Sequence, residues 1–292
     1  MELFVQQLVA GLSTGTIYAC IALAVVMIYQ AIGHVNFAQG EMAMLSTFIA
    51  WQLLQSGAPY WMAFALTVIL SFVLGLLVER TLMRRLRNAP ALSQVAVFIG
   101  LLLVLNSVAG YVWNFTVKPF PTPFGTAPFL GASWISQHQA GMLASTLAIL
   151  VVLVVFFRFT RIGLSMRGAT GHPASARLLG IRVQSLEGLG WGLASAIGAV
   201  AGMLIAPVVF LEPNMMAGTL IYGFAGAVLG GLGSPAGAVL GGLLVGVLEN
   251  MAGTFIPVVG GELKLTLALV TIVLVLVIRP QGLLGQKLVH RV

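Results

Sequence analysis

The sequence predicts an all-α fold: a polytopic bundle of about eight to nine membrane segments, some short or broken, with a small extra helix on the cytoplasmic side. Three observations predict it. Hydrophobic residues make up 59% of the 292 positions and charged residues only 7%, against roughly a quarter charged in soluble domains. That is too little charge to clothe a water-facing surface. Apolar runs near the ~20 residues that cross hydrocarbon recur along the whole chain. The basic residues, which bring the formal charge to +7, cluster between those runs. That distribution is a topological signal. It is not the basic stripe with interleaved aromatics of a nucleic-acid binder, so membrane lipid and not nucleic acid is the expected surrounding.

The candidate segments run Gln7–Tyr29, Phe37–Leu54, Trp61–Val78, Leu92–Trp113, Ala140–Phe157, Leu186–Phe210, Ala217–Leu232, Ala236–Met251 and Leu263–Ile278. Together they read as a single transmembrane domain over residues 1–292. The second, seventh and eighth are short or rich in glycine and polar residues, so they are expected to be tilted, broken or re-entrant. The first Lys or Arg is Arg80. A secretory signal needs a positive n-region, so the first segment is expected to stay in the mature protein.

Sidedness follows from arginine. Arg80, Arg84, Arg85 and Arg87 crowd one loop, Arg158, Arg161, Arg167, Arg177 and Arg182 a second, and Arg279, Lys287 and Arg291 the tail. All three are expected in the cytoplasm. Two spans separate the first two clusters and four the second from the tail, so the parity is consistent. The segment Asn114 to Gln139, with Lys118 as its single basic residue and four prolines, is expected outside, as is the turn Glu212-Pro213-Asn214.

Two breaks interrupt the apolar pattern. The first is "GHVNFAQGEMAML" (Gly33 to Leu45). Asn36 followed three residues later by Gln39 reads as a capping box for the second helix. Gly40 and Glu41 follow, and capping does not require the glutamate. An ionisable residue in a membrane segment also marks a pathway or a paired site, and both readings stand. The second break is "GGLGSPAGAVLGGLLVGVLEN" (Gly230 to Asn250). Ser234 is the expected N-cap and Pro235 the first helical residue. Gly233, Gly237, Gly241 and Gly242 suit close backbone packing. Glu249 and Asn250 are expected near the outer interface. Spans one to three and seven to nine share a plan, with breaks at Gly33 and Gly233, of the kind seen in transporter repeats.

The longest polar stretch is "RFTRIGLSMRGATGHPASARLLGIRVQSLEG" (Arg158 to Gly188). Pro173 starts a helix well and Gly180 ends one well, which predicts a helix over Pro173 to Leu179. Ala174 and Leu178 share one face and Arg177 points elsewhere. So short a helix is marginal alone and needs a surface to dock on, either headgroups or a cytoplasmic partner. No site for chemistry stands out. Cys20 is alone, so no intrachain disulfide or cysteine metal site is expected. His34, His138, His172 and His290 are scattered with no acid cluster, so the chain is not expected to be an enzyme or to bind a metal. A Walker A motif needs Gly-Lys-Ser/Thr, and Lys118, Lys264 and Lys287 follow Val, Leu and Gln.

"VNFAQGEMAML", "RGATGHPASARLLGIRV" and "GGLGSPAGAVLGGLLVGVLE" resemble, in order and spacing, the permease subunits of branched-chain amino-acid ABC importers, the LivH type. The resemblance covers nearly the whole chain. It implies a multi-pass protein of the bacterial inner membrane that moves branched-chain or related hydrophobic amino acids into the cytoplasm. It also implies a second, LivM-like permease subunit, two cytoplasmic ATPase subunits that bind ATP and Mg, and a periplasmic substrate-binding protein. No cofactor is implied for this chain itself. Arg167, Ala176 and Gly180 match the family's ATPase-contact motif, which places Pro173, Arg177 and Leu178 in the coupling loop of about 158–188. The family often has an acidic or amide residue where His172 stands. Urea, short amides and aromatic acids remain open as cargo within this group. An ion-coupled secondary transporter is the rival from another class.

Overall fold

The computed structural model describes residues 2–33, 35–86, 89–129, 132–171, 173–256 and 263–285. His34, Arg87, His172, Lys287, His290 and Arg291 lie outside the described residues. All nine apolar runs are helical: α1 (Glu2–Ile32), α2 (Gln39–Gln55), α3 (Tyr60–Val78), α5 (Ala91–Trp113), α6 (Gln137–Phe159), α9 (Val183–Val209), α10 (Met215–Gly230), α11 (Pro235–Phe255) and α12 (Lys264–Ile278). A π-turn, Glu79–Met83, prolongs α3 into the three-residue α4 (Arg84–Leu86). The polar loop holds α7 (Arg161–Gly171) and α8 (Pro173–Leu178).

Among the described residues, six helices are long and apolar enough to cross a membrane, in place of the expected eight to nine segments. α10 and α12 are shorter apolar helices. α2 has 17 residues, about 26 Å of rise against roughly 30 Å of hydrocarbon. The eighth segment is not short: α11 reaches 21 residues. Outward-facing side chains on the spans are large and apolar, among them Ile69, Leu103, Val152 and Val277. Lipid is the solvent that suits them. One departure from all-α is a two-stranded antiparallel pair, β1 (Pro128–Phe129) with β2 (Ala132–Ser136), in the segment expected to be an outer loop. Pro121, Pro123 and Pro128 forbid helix there and leave extended backbone.

The chain forms two compact units that interleave in sequence. The first takes Met1–Val26, Phe124–Leu150 and Gly218–Val292. Here α1, α10 and α11 approach backbone to backbone. A Cβ on Gly246 would stand 2.2 Å from the Gly15 nitrogen, and one on Gly241 would stand 2.0 Å from the Gly226 oxygen. The start of α11 is as expected: Ser234 Oγ accepts from the Gly237 N–H at 3.0 Å, and Pro235 opens the helix.

The second unit takes Met27–Pro123 and Val151–Ala217. In it α9 packs on both α2 and α3. Gly75 lies against the Trp191 peptide, Gly192 against the Phe72 ring, and Gly202 against Thr47. Side-chain hydrogen bonds tie the same helices. Gln39 Nε2 donates to the Ala194 carbonyl at 2.9 Å, and Ser71 Oγ to Ser46 Oγ at 2.7 Å. At one end of this unit Arg84 Nη2 donates to Gln184 Oε1 at 2.9 Å, so the first two basic clusters share a side. At the other end Lys118 and Leu211 form an antiparallel bridge, which joins two segments expected outside.

The three-helix plan suggested by the breaks does not appear as separate units, because most of α1 groups with α10–α12 while α2 and α3 group with α5 and α9. Gly33 ends α1 in the left-handed region (φ 75°). The left-handed residue at the second break is Gly231 (φ 107°), not Gly233.

Candidate functional site

The first polar break is not a capping box. α2 begins at Gln39 behind Ala38, with no side-chain cap. Asn36 Oδ1 accepts from the Ala38 N–H at 2.9 Å, which closes a local turn before the helix. Gln39 is fully buried and reaches across to α9, where Gly198 leaves room for its amide: a Cβ there would stand 2.6 Å from Gln39 Nε2. A buried amide must find partners, and the facing helix supplies one. Gly40 is buried beside it.

Glu41 lies in the first turn of α2, one turn earlier than a cap at Asn36 would put it, and only 4% of it is exposed. Its Oε2 accepts from Asn106 Nδ2 of α5 at 3.3 Å. The same nitrogen stands 2.8 Å from the Pro213 carbonyl and 3.1 Å from Asn214 Oδ1. Asn106 is seven residues before the Trp113 end of α5, about 10 Å along the axis. The turn before α10 therefore dips below the Trp113 end of α5, where Trp113 Nε1 donates to Gln52 at 3.0 Å. Sequence reasoning missed Asn106. Its signal is the lone amide in "LLLVLNSVAG", a polar group in the middle of an apolar span.

At the second break, Gly233, Ser234 and Gly237 serve the α10–α11 turn. A Cβ on Gly237 would stand 2.3 Å from the Gly230 oxygen. Glu249 and Asn250 are both hydrogen-bonded within the first unit. Glu249 is 8% exposed and accepts from the Tyr18 hydroxyl at 2.5 Å. Tyr18 stacks on Tyr222 with centroids 4.7 Å apart. Asn250 Nδ2 donates to the Gly246 carbonyl at 3.0 Å and to Thr14 Oγ1 at 3.3 Å. The glycine stripe of α11 admits α1 so closely that these polar groups are covered and must pair with it.

The polar loop folds on itself. Thr160 Oγ1 accepts from the Gly163 N–H at 3.0 Å and caps α7. α8 spans Pro173–Leu178 and stops at Gly180 (φ 78°). The Gly180 N–H bonds the Arg177 carbonyl and the Ile181 N–H the Ala176 carbonyl, both at 3.0 Å, the paired pattern of a Schellman turn. Ala176 is buried with Ala169 and Val183, and Ile181 and Leu186 pack against them. With Ala176 pinned inward, Leu178 is left 90% and Leu179 80% exposed, beside exposed Arg177. Arg167 is exposed on α7. The sequence reading predicted the helix and its stop but not α7, whose polar face hides its apolar one.

The profile of a family described as "Branched-chain amino acid transport system / permease component" matches residues 7–278. The chain is 33% identical to the high-affinity branched-chain amino acid transport system permease protein BraD of Pseudomonas aeruginosa, over 99% of this chain and 98% of that one. It is 29% identical to LivH of Escherichia coli strain K12 over the same shares. It is 24% identical to a probable LivH of Methanocaldococcus jannaschii, over 91% and 87%. No solved structure matches.

Proposed function

The chain belongs to the branched-chain amino acid transport permease family, and from that premise we propose that it is the membrane-embedded permease subunit of an ATP-driven importer. Its cargo is branched-chain or related hydrophobic amino acids, moved into the cytoplasm across the bacterial inner membrane. Eight to nine segments cross or enter the bilayer, α2 being the partial one. A second permease subunit completes the pathway, two cytoplasmic ATPases drive it, and a periplasmic binding protein delivers substrate to the outer loops.

The observation that carries this reading is the short helix α8. Two neighbouring leucines stand almost fully in the open beside an arginine, on a turn locked by Gly180 and anchored through Ala176. Exposed leucines on an anchored polar-loop helix suit a hydrophobic groove on a partner. Arg84 and Gln184 link the base of this loop to α4, which the π-turn joins to α3, and Gln39 links α9 to α2. Movement of α8 therefore has a mechanical route into the bundle. Energy enters as differential contacts in two states, with the chemistry carried out in the partner chains.

The test is co-purification. Two ATPase chains are expected with the solubilised protein, and Leu178→Glu with Leu179→Glu is expected to remove them. Uphill uptake driven by an ion gradient without any ATPase would instead establish a secondary transporter.

A further inference from the structure

The junction of α3 with the basic cluster at its end holds one residue more than an α-helix needs. The contacts of α3 with α9 run antiparallel: Phe72 meets Gly192, Gly75 meets the Trp191 peptide, and Glu79 Oε2 would stand 3.3 Å from a Cβ on Gly188. Arg84 Nη2 then donates to Gln184 Oε1 at 2.9 Å. Gly188 and Gln184 are four apart on α9 and share a face. Glu79 and Arg84 are five apart. In an α-helix five residues turn about 500°, which would point Arg84 about 140° away from Glu79. The π-turn removes that mismatch. The Arg84 N–H bonds the Glu79 carbonyl, five residues back. Five residues then make little more than one turn, and both side chains meet α9. The widened turn bulges where Arg80, Thr81 and Leu82 are exposed.

We propose that Glu79–Met83 is a joint that passes between π and α geometry during transport, with Arg84 as the positioning residue it aims. Single π-turns inside α-helices are rare and frequently mark functional sites. In the π form Arg84 ties the end of α3 to the base of the polar loop at Gln184. Tightening to α carries Arg84 about 100° around the axis, one residue of α-helix, and off Gln184. The change exchanges one backbone bond for another. The bond it gives up is a single exposed hydrogen bond to a neutral amide, which is cheap to break. α4 has only three residues, so little helix has to turn. Glu79, buried beside α9 ahead of the turn, stays in place and keeps α3 anchored while the loop's base is released. The assignment rests on the permease reading and adds to it the point at which loop movement reaches a spanning helix.

The experiment reads leucine uptake and ATP hydrolysis on the same proteoliposomes, with the complete transporter in the membrane, loaded binding protein outside and ATP inside. Leu82 is exposed on the turn, and its deletion spares the Thr81 hydroxyl bond to the Leu77 carbonyl. Arg84 then follows Glu79 by four residues, so an unbroken α-helix keeps both on α9 and the joint has no second form to enter. The variant is expected to assemble, to melt no lower than wild type, and to lose most of its uptake per ATP hydrolysed. A bulge that is only an accommodated insertion predicts the wild-type ratio, and that result overturns the proposal. If the variant fails to assemble or hydrolyses no ATP, cross-linking decides. Cys20 is buried and is replaced by Cys20→Ser. Arg84→Cys with Gln184→Cys is then treated with a short bifunctional thiol reagent. The yield is expected to differ between the nucleotide-free and the vanadate-trapped complex, and equal yields overturn the joint. Absence of ATP-dependent uptake by the wild-type complex would instead sink the permease reading.

Discussion

In the first compact unit α1, α10 and α11 meet backbone to backbone; in the second α2, α3 and α9 meet through a mixture of backbone contacts and side-chain hydrogen bonds. Gly15, Gly226, Gly241, Gly242 and Gly246 each leave no room for a Cβ because a neighbouring main chain occupies the space. The second unit has glycines against main chain too, Gly75 on the Trp191 peptide and Gly202 on the Ala43 carbonyl, but there Gly192 receives the Phe72 ring and Gly202 also the Thr47 side chain. Its links across helices are Gln39 to Ala194, Ser71 to Ser46, Asn106 to Glu41 and Arg84 to Gln184. Backbone contacts have no rotamers to exchange. Side-chain bonds can be broken and remade at low cost. The polar loop with α8 belongs to the second unit, so the proposed drive enters where the contacts can switch.

The largest effect should come from filling a glycine of the first unit. Gly246→Leu forces a side chain into the Gly15 backbone, where nothing can rotate away. A loss of about 3 kcal/mol or more is expected, at or above the upper end of overpacking. It is read as collapse of the monodisperse gel-filtration peak. Gly100→Leu sharpens the contrast. Gly100 has nothing within 4 Å of a Cβ, and glycine costs roughly 1 kcal/mol in a helix, so this variant should be neutral or slightly stabilised.

Next in size is Gly180→Val in the loop of the second unit. The left-handed backbone at φ 78° costs a β-branched residue about 1–2 kcal/mol, which unwinds the turn that holds α8 and its leucines. ATPase activity stimulated by loaded binding protein is expected to fall roughly tenfold, since about 1.4 kcal/mol is a factor of ten. Full stimulation in this variant would remove α8 from the drive.

The same contrast explains what the sequence disclosed. Helix positions were legible from apolar run length, and the α11 start from Ser234-Pro235, because those signals are local. The stop at Gly180 was legible for the same reason. Glu41 and Glu249 stood out as acids in apolar segments, but their partners, Asn106 and Tyr18, were not readable. Each partner lies 65 or more positions away in the chain, and near-uniform hydrophobicity hides how a helix is rotated. The capping box failed for a related reason. Asn36 and Gln39 have the right spacing, yet burial against Gly198 turned Gln39 toward α9. α2 starts at Gln39 and not at Phe37 because the turn at Asn36 holds Phe37 and Ala38 outside the helix.

The smallest effect tests whether the second unit's links are as weak as a switch requires. Ser71 Oγ donates to Ser46 Oγ, and Ser46 Oγ in turn donates to the Met42 carbonyl at 2.7 Å. Ser71→Ala removes the donor but leaves Ser46 its own carbonyl partner. Ser46→Ala removes the acceptor, and Ser71 can then turn to a carbonyl of its own helix, as serine does. Each single change should therefore cost well under about 1 kcal/mol, and the double-mutant coupling should be near 0.6 kcal/mol, the average for interhelical hydrogen bonds in membranes. Thermal unfolding in detergent reads all four corners of the cycle. A coupling of about 2 kcal/mol would make this contact as rigid as the glycine seams and erase the distinction between the units.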